Sequence, residues 1–167
     1  MKPIVLVGFM GVGKTTVGQL LAQRLDKTFV DGDHYFEEQL GQSVPSYLAE
    51  FGEEEFRKQE SRLLPEMLKK FDVIATGGGI ITLEKTRQYL KQTQSVVYLF
   101  DSFETNYARL VADTHVRPLV HHQRIEQVQD LFTYRQPLYD EVADKKIYVK
   151  GRSPDKVVEE LIQLVLI

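Results

Sequence analysis

The chain has 167 residues, 43% apolar and 27% charged, with a formal net charge of −3 and no cysteine. That length suits one domain with a sizeable core. The charge argues against a general nucleic-acid or membrane-surface binder, and the missing thiols exclude disulfides and thiolate metal sites. Apolar runs are only a few residues long, too short for a membrane span, and Lys2 leads straight into the first apolar run with no room for a signal peptide. The expectation is a single cytoplasmic domain over 1–167, without repeats, acting as a monomer.

Ile4 to Val7 form a continuous branched and leucine run stopped by Gly8, the pattern of a buried strand. Gly8-Phe9-Met10-Gly11-Val12-Gly13-Lys14-Thr15 follows it and leads into a helical pattern from Thr15 to about Leu25. This is the G-x-x-x-x-G-K-[ST] phosphate loop between its required strand and helix. Glycines at Gly11 and Gly13 let backbone N–H groups, Val12's among them, approach phosphate oxygens, and the helix N-terminus at Thr15 and Thr16 adds partial positive charge. Lys14 reaches the outer phosphates, and the Thr15 hydroxyl is suited to Mg²⁺. The loop alone therefore points to a purine nucleoside triphosphate and a metal ion as ligands, with no acceptor named.

A short strand at Thr28 to Val30 ends at Asp31-Gly32-Asp33, and helices are expected over Asp33 to about Leu40 and Ser43 to Phe51. Glu53 to Lys70 carry a longer helical pattern in which Pro65 predicts a kink or a break. Val73 to Ala75 read as a third strand before Thr76-Gly77-Gly78-Gly79, and a helix over Leu83 to Lys91 precedes the strand Val96 to Phe100. Phe103, Tyr107, Leu110 and Val111 recur at helical spacing. Asp113 to Gln123 lose that periodicity and gather Arg117, Pro118, His115, His121 and His122, as a surface loop does. A helix from Ile125, a strand over Ile147 to Val149 and a closing helix capped by Ser153-Pro154 complete the chain. Alternating strands and helices predict an α/β fold, a parallel sheet covered on both faces, with the ligand site at the carboxyl ends of its strands.

Asp31 and Asp33 sit on that side. One carboxylate there can hold Mg²⁺ and a second can accept a proton from an attacking hydroxyl; alternatively Asp33 caps the following helix and Asp31 belongs to the turn. Arg57 continues an apolar stripe through Leu64 and Leu68, and Arg135 one through Val128 and Phe132. An inward guanidinium needs an anionic partner, which Glu60 can supply in part for Arg57, whereas Arg135 has no acid at i−3 or i−4. Both residues could instead snorkel to solvent. Gly77 to Gly79 are either a flexible turn or a place where backbone lies against a ligand. Arg117 is a lid cation or a solvated one, and the three histidines face solvent.

Together these pieces resemble shikimate kinases over nearly the whole chain. The series is the phosphate loop through Thr16, Asp31-Gly32-Asp33, Gly52 to Glu60 with Arg57 within it, Gly77-Gly78-Gly79, Arg117-Pro118-Leu119 and Arg135-Gln136-Pro137-Leu138-Tyr139. The resemblance implies ATP-dependent phosphorylation of the 3-hydroxyl of shikimate, on the route to aromatic amino acids. It implies a nucleoside-monophosphate-kinase-like fold with five parallel strands ordered 2-3-1-4-5, substrate-binding helices over about 33–62 and a lid over about 112–124. Asp33 would be the base or orienter. Arg57 and Arg135 would bind the shikimate carboxylate, with Gly78 and Gly79 lining the ring. Thr15 and Asp31 would hold Mg²⁺, Lys14 and Arg117 would act on the phosphates, and Arg152 would lie near adenine. Family members carry an adenine-stacking arginine seven residues before the lid arginine. Leu110 stands there in this chain, so either Arg109 takes the role beside a lid one residue longer, or the stacking partner is absent.

Overall fold

The computed structural model describes residues 2–93, 95–112 and 124–165. The lid stretch from Asp113 to Gln123, with Arg117 and the histidines, lies outside them. In chain order the elements are β1 (Ile4–Val7), α1 (Lys14–Leu25), β2 (Phe29–Asp31), α2 (Gly32–Leu40), α3 (Val44–Phe51), α4 (Glu53–Lys70) and β3 (Val73–Ala75). There follow α5 (Glu84–Lys91), β4 (Val96–Phe100), α6 (Phe103–Ala112), α7 (Ile125–Val142), β5 (Lys145–Tyr148) and α8 (Pro154–Val165).

The strands form one sheet in the order β2-β3-β1-β4-β5, and every pairing is parallel. Because side chains alternate along a strand, the sheet divides its own core. Val5, Val7, Val30, Ile74, Val96 and Tyr98 face one way, onto residues of α2, α3, α4, α6 and α7 such as Phe36, Tyr47, Phe56, Leu110 and Phe132. Ile4, Leu6, Val73, Val97, Leu99 and Ile147 face the other way, onto Val17 and Leu21 of α1 and Val157, Val158 and Leu161 of α8. Both faces are covered, so β1 is apolar at every position and fully buried. Gly18 lets α1 lie close on the sheet: a Cβ there would come 2.6 Å from the Phe29 ring.

Several details differ from the sequence reading. Helix α4 runs unbroken from Glu53 to Lys70 with Pro65 inside it. The proline removes one N–H from the helix, but Leu63, Leu64 and Met67 on both sides of it are buried in a single cluster, and that packing keeps the two halves in one helix. Strand β5 begins at Lys145, two residues earlier than expected, and ends at Tyr148. Only Ile147 in it is buried, because β5 is an edge strand whose exposed lysines carry no hydrophobic signal. Strand β2 is shifted by one residue and includes Asp31.

No helix among the described residues is long and apolar enough to cross a membrane. Since every strand runs the same way, the carboxyl ends of β1, β2, β3 and β4 meet at one edge, each continuing into a residue group with polar chemistry: the phosphate loop, Asp31, Thr76 to Gly79, and Asp101.

Leu6, with no exposed surface at the centre of the sheet, tests this packing. Leu6→Ala should lower unfolding free energy by about 2–5 kcal/mol in urea titrations at unchanged m-value, and a loss well under 1 kcal/mol would contradict the central placement of β1.

Candidate active site

The phosphate loop owes its shape to backbone conformations that side chains resist. Gly8, Gly11 and Gly13 have φ of 153°, 84° and 103°, and a Cβ on Gly8 would come 2.5 Å from the Leu99 carbonyl oxygen. Gly13 is the N-cap of α1 and has no side chain to occupy the helix N–H groups, which leaves the first turn presented to an anion. Lys14 folds over the loop and donates from Nζ to the carbonyls of Gly8 at 2.6 Å and Phe9 at 3.1 Å.

Thr15 and Asp31 meet across the cleft floor: the threonine hydroxyl donates to Asp31 Oδ2 at 2.5 Å. The other oxygen, Oδ1, accepts from the His34 N–H at 3.1 Å and caps α2. The cap is therefore Asp31 rather than Asp33, and this frees Asp33, in the first turn of α2, to face the cleft. The Asp33 carboxyl is raised above its ordinary value, first by the protein crowded around it and then by the charge of Asp31, with Lys14 and Arg57 pulling the other way. Although the residue still meets solvent, that rise makes it a stronger proton acceptor than an ordinary aspartate.

Gly11, Gly13, Lys14, Thr15, Thr16, Asp31, Asp33, Gly78 and Arg109 line one cleft of about 440 Å³. Val12 does not line it; its side chain is buried beneath the loop, and its carbonyl accepts weakly from Arg109 at 3.4 Å. Arg152 is not among the lining residues either. Its guanidinium donates to the Tyr148 carbonyl at 2.8 Å and pairs with Glu160 at 2.5 Å.

Beside the phosphate loop lies a second cluster with a different character. Arg57 and Arg135 are 7% and 2% exposed, so neither snorkels to solvent. Arg57 pairs with Glu60 at 3.0 Å and Glu53 at 3.4 Å, the i+3 and i−4 partners that one helix face supplies. Loss of hydration, and after it the like charge of Arg57, push the Arg135 guanidinium below its usual pKa, while Tyr139 acts in the opposite direction. Tyr139 is fully buried and donates from its hydroxyl to the Gly78 carbonyl at 2.6 Å. The Gly77–Gly79 turn is thereby tied to the arginines. A Cβ on Gly78 would come 3.4 Å from Arg135 Nη1, one on Gly77 would come 2.9 Å from both Asp33 Oδ1 and Glu60 Oε2, and one on Gly79 would fall inside the Arg57 guanidinium. These glycines make room for charged groups; they are not there for flexibility. Tyr139 was quoted in the sequence without a role, and its i+4 spacing from Arg135 is the signal that marks it.

The described residues hold no group of three or more His, Asp or Glu able to bind a metal. One hydroxyl and one carboxylate of hard-oxygen type do stand together at Thr15 and Asp31. That pair fits Mg²⁺, which keeps most of its waters and takes further ligands from substrate phosphates.

A family model described as shikimate kinase matches residues 10–166. A shikimate kinase of Enterococcus faecalis is 40% identical over 164 residues, covering 98% of each chain. A shikimate kinase from Acinetobacter baumannii, solved in complex with shikimate, is 38% identical with a TM-score of 0.93 over 99% of this chain and 93% of that one. One from Bacteroides thetaiotaomicron is 26% identical with a TM-score of 0.89 over 99% of each.

The Glu60 carboxyl, buried against Arg57, is pushed up to about 7 by burial, against the attraction of Arg57 and with the charge of Asp33 adding to the rise. An acid whose native pKa is raised contributes stability that is present below the unfolded value and lost as pH climbs to the native one. Wild type and Glu60→Gln should therefore be similar in thermal or urea stability near pH 4.5. By pH 8 wild type should fall behind by about 1–3 kcal/mol. The opposite ordering at pH 8 would mean that the Arg57 attraction exceeds the cost of burial.

Proposed function

The chain belongs to the shikimate kinase family, and from that premise we propose how its residues divide the transfer of a phosphoryl group from ATP to shikimate. The enzyme is an ATP-dependent kinase. The single observation that carries the assignment of roles is the pair of buried guanidiniums, Arg57 and Arg135, set next to a phosphate loop and facing a raised aspartate. A buried cation needs a counter-charge, and a small carboxylate supplies one, each charge-assisted contact contributing about 1.5–3 kcal/mol.

In this reading the shikimate carboxylate sits between Arg57 and Arg135, with the Gly78 and Gly79 backbone against the ring; a Cβ at either glycine would crowd those arginines. The 3-hydroxyl points at Asp33. Loop N–H groups from Gly11 to Thr16 hold the ATP phosphates, and Lys14 exchanges its carbonyl partners at Gly8 and Phe9 for phosphate oxygens. Asp33 accepts the hydroxyl proton as the substrate oxygen bonds to the γ-phosphorus. The bond from that phosphorus to the bridging oxygen breaks, and ADP leaves with the electron pair. Thr15 and Asp31 hold Mg²⁺, which when bound neutralises charge on the phosphates. Arg109 lies at the nucleotide end of the cleft and contacts the base. One chain supplies every group named here, which supports a monomer, and dependence on ATP supports a cytoplasmic location.

ADP release with Mg-ATP should rise on adding shikimate and stay at background with gluconate; a gluconate rate equal to the shikimate rate would move the assignment to a broader hydroxy-acid kinase. Asp33→Asn should lose turnover by about 100-fold or more with ATP binding intact, and unchanged turnover would remove Asp33 as base. Arg135→Ala should raise the KM for shikimate far more than that for ATP. Equal effects on both would place Arg135 elsewhere.

A further inference from the structure

The strand β4 ends in an aspartate that the mechanism leaves unused. Asp101 is 1% exposed, and a carboxylate that far from water needs compensation. Its Oδ1 accepts from the Ser102 N–H at 2.8 Å, while Oδ2 has no hydrogen-bond partner. Among the described residues the cation paired with it is Arg109, whose Nη2 lies 3.6 Å from Oδ2. Ser102 in turn starts α6, its hydroxyl accepting from the Thr105 N–H at 3.2 Å, and Arg109 sits in the last turn of that helix. The helix therefore leaves the sheet at Asp101, and Arg109 reaches back to it.

Arg109 is also held from the other side. Its Nη1 donates weakly to the carbonyls of Gly11 at 3.3 Å and Val12 at 3.4 Å. Its two terminal nitrogens are thus taken, one by the buried acid and one by the phosphate loop. A planar guanidinium engaged along its edge leaves its face for another flat group. The side chain remains 37% exposed and lines the cleft beyond the loop. Helix α6 also lies hard against that loop: a Cβ on Gly11 would come 3.1 Å from the Asn106 carbonyl oxygen and 3.1 Å from Leu110 Cγ.

We propose that Asp101 is a positioning residue for the nucleotide, its buried carboxylate fixing the Arg109 guanidinium across the phosphate loop so that its open face meets the purine ring. The proposal rests on the reading of Arg109 as the base-contacting residue, and it explains a buried charge that otherwise has no function. Asp101 touches neither substrate; it acts through Arg109. Leu110, the next residue, is buried against Gly11 of the loop and cannot take that role.

The test is a double-mutant cycle on ADP affinity, measured by calorimetry on the full chain with Mg²⁺ in wild type, Asp101→Asn, Arg109→Ala and the double variant, with urea stability followed on each. Asp101→Asn keeps an oxygen for the Ser102 N–H and should weaken ADP about tenfold, with the KM for shikimate within about twofold of wild type. In the Arg109→Ala background the same change should add nothing. Equal weakening of ADP in both backgrounds, or none in either, overturns the positioning role while leaving Arg109 at the base. If Arg109→Ala itself leaves ADP affinity unchanged, the base-contact reading falls and the proposal with it. Should Asp101→Asn not fold, Asp101→Thr, which also offers an oxygen to Ser102, runs the same cycle.

Discussion

Two permanent positive charges buried beside each other are the constraint on which one half of the candidate site depends. Neither guanidinium can release its proton at any relevant pH, so the surroundings of Arg57 and Arg135 must supply what water no longer does. Glu60 and Glu53 do so for Arg57 from its own helix. Tyr139 does so for Arg135 from one turn further along α7. The same hydroxyl fixes the Gly78 carbonyl, so the glycine turn, the two arginines and the buried Glu60 form one polar assembly against the apolar floor of the sheet. The rise in the Glu60 pKa follows from this crowding. An anionic ligand completes the balance of charge.

The other half, the phosphate loop, stands on a different principle, in which partial charges of backbone amides and one lysine replace full charges held in a core. What joins the halves is the topology. A parallel sheet sends the ends of β1, β2 and β3 to one edge, and with them the phosphate loop, the Asp31–Asp33 turn and Thr76 to Gly79. Asp31 connects the two halves directly: one oxygen caps the helix that carries Asp33, and the other accepts a hydrogen bond from the hydroxyl of Thr15 at the phosphate loop. A shift of either element would be felt by the other.

Much of this was legible in the residues. The strand-loop-helix setting of Lys14 and the inward stripe of Arg57 and Arg135 are local patterns, and local patterns survive into the fold. What was less legible depended on partners distant in the chain. Pro65 read as a kink or a break because its cost is local; the helix is not broken, and the burial that holds it together comes from α2, α3 and the sheet. The start of β5 was hidden because edge strands carry polar residues. Spacing left Asp33 as the candidate cap with Asp31 in the turn, whereas the His34 N–H on Asp31 shows that Asp31 is the cap. Arg152 was matched to a position near adenine, yet it is engaged by Glu160 and the Tyr148 carbonyl, a pairing that no sequence spacing announces. The strand order came from the family resemblance and not from periodicity.

The central claim is that the paired guanidiniums and Asp33 form the acceptor site next to the phosphate loop. A crystal structure of the chain with shikimate and Mg-ADP tests it most directly. The account predicts the shikimate carboxylate between Arg57 and Arg135, and its 3-hydroxyl within hydrogen-bond distance of Asp33 on the side facing the phosphate loop. A carboxylate bound away from both arginines, or a hydroxyl at Asp33 other than the one turned toward the β-phosphate, would contradict it.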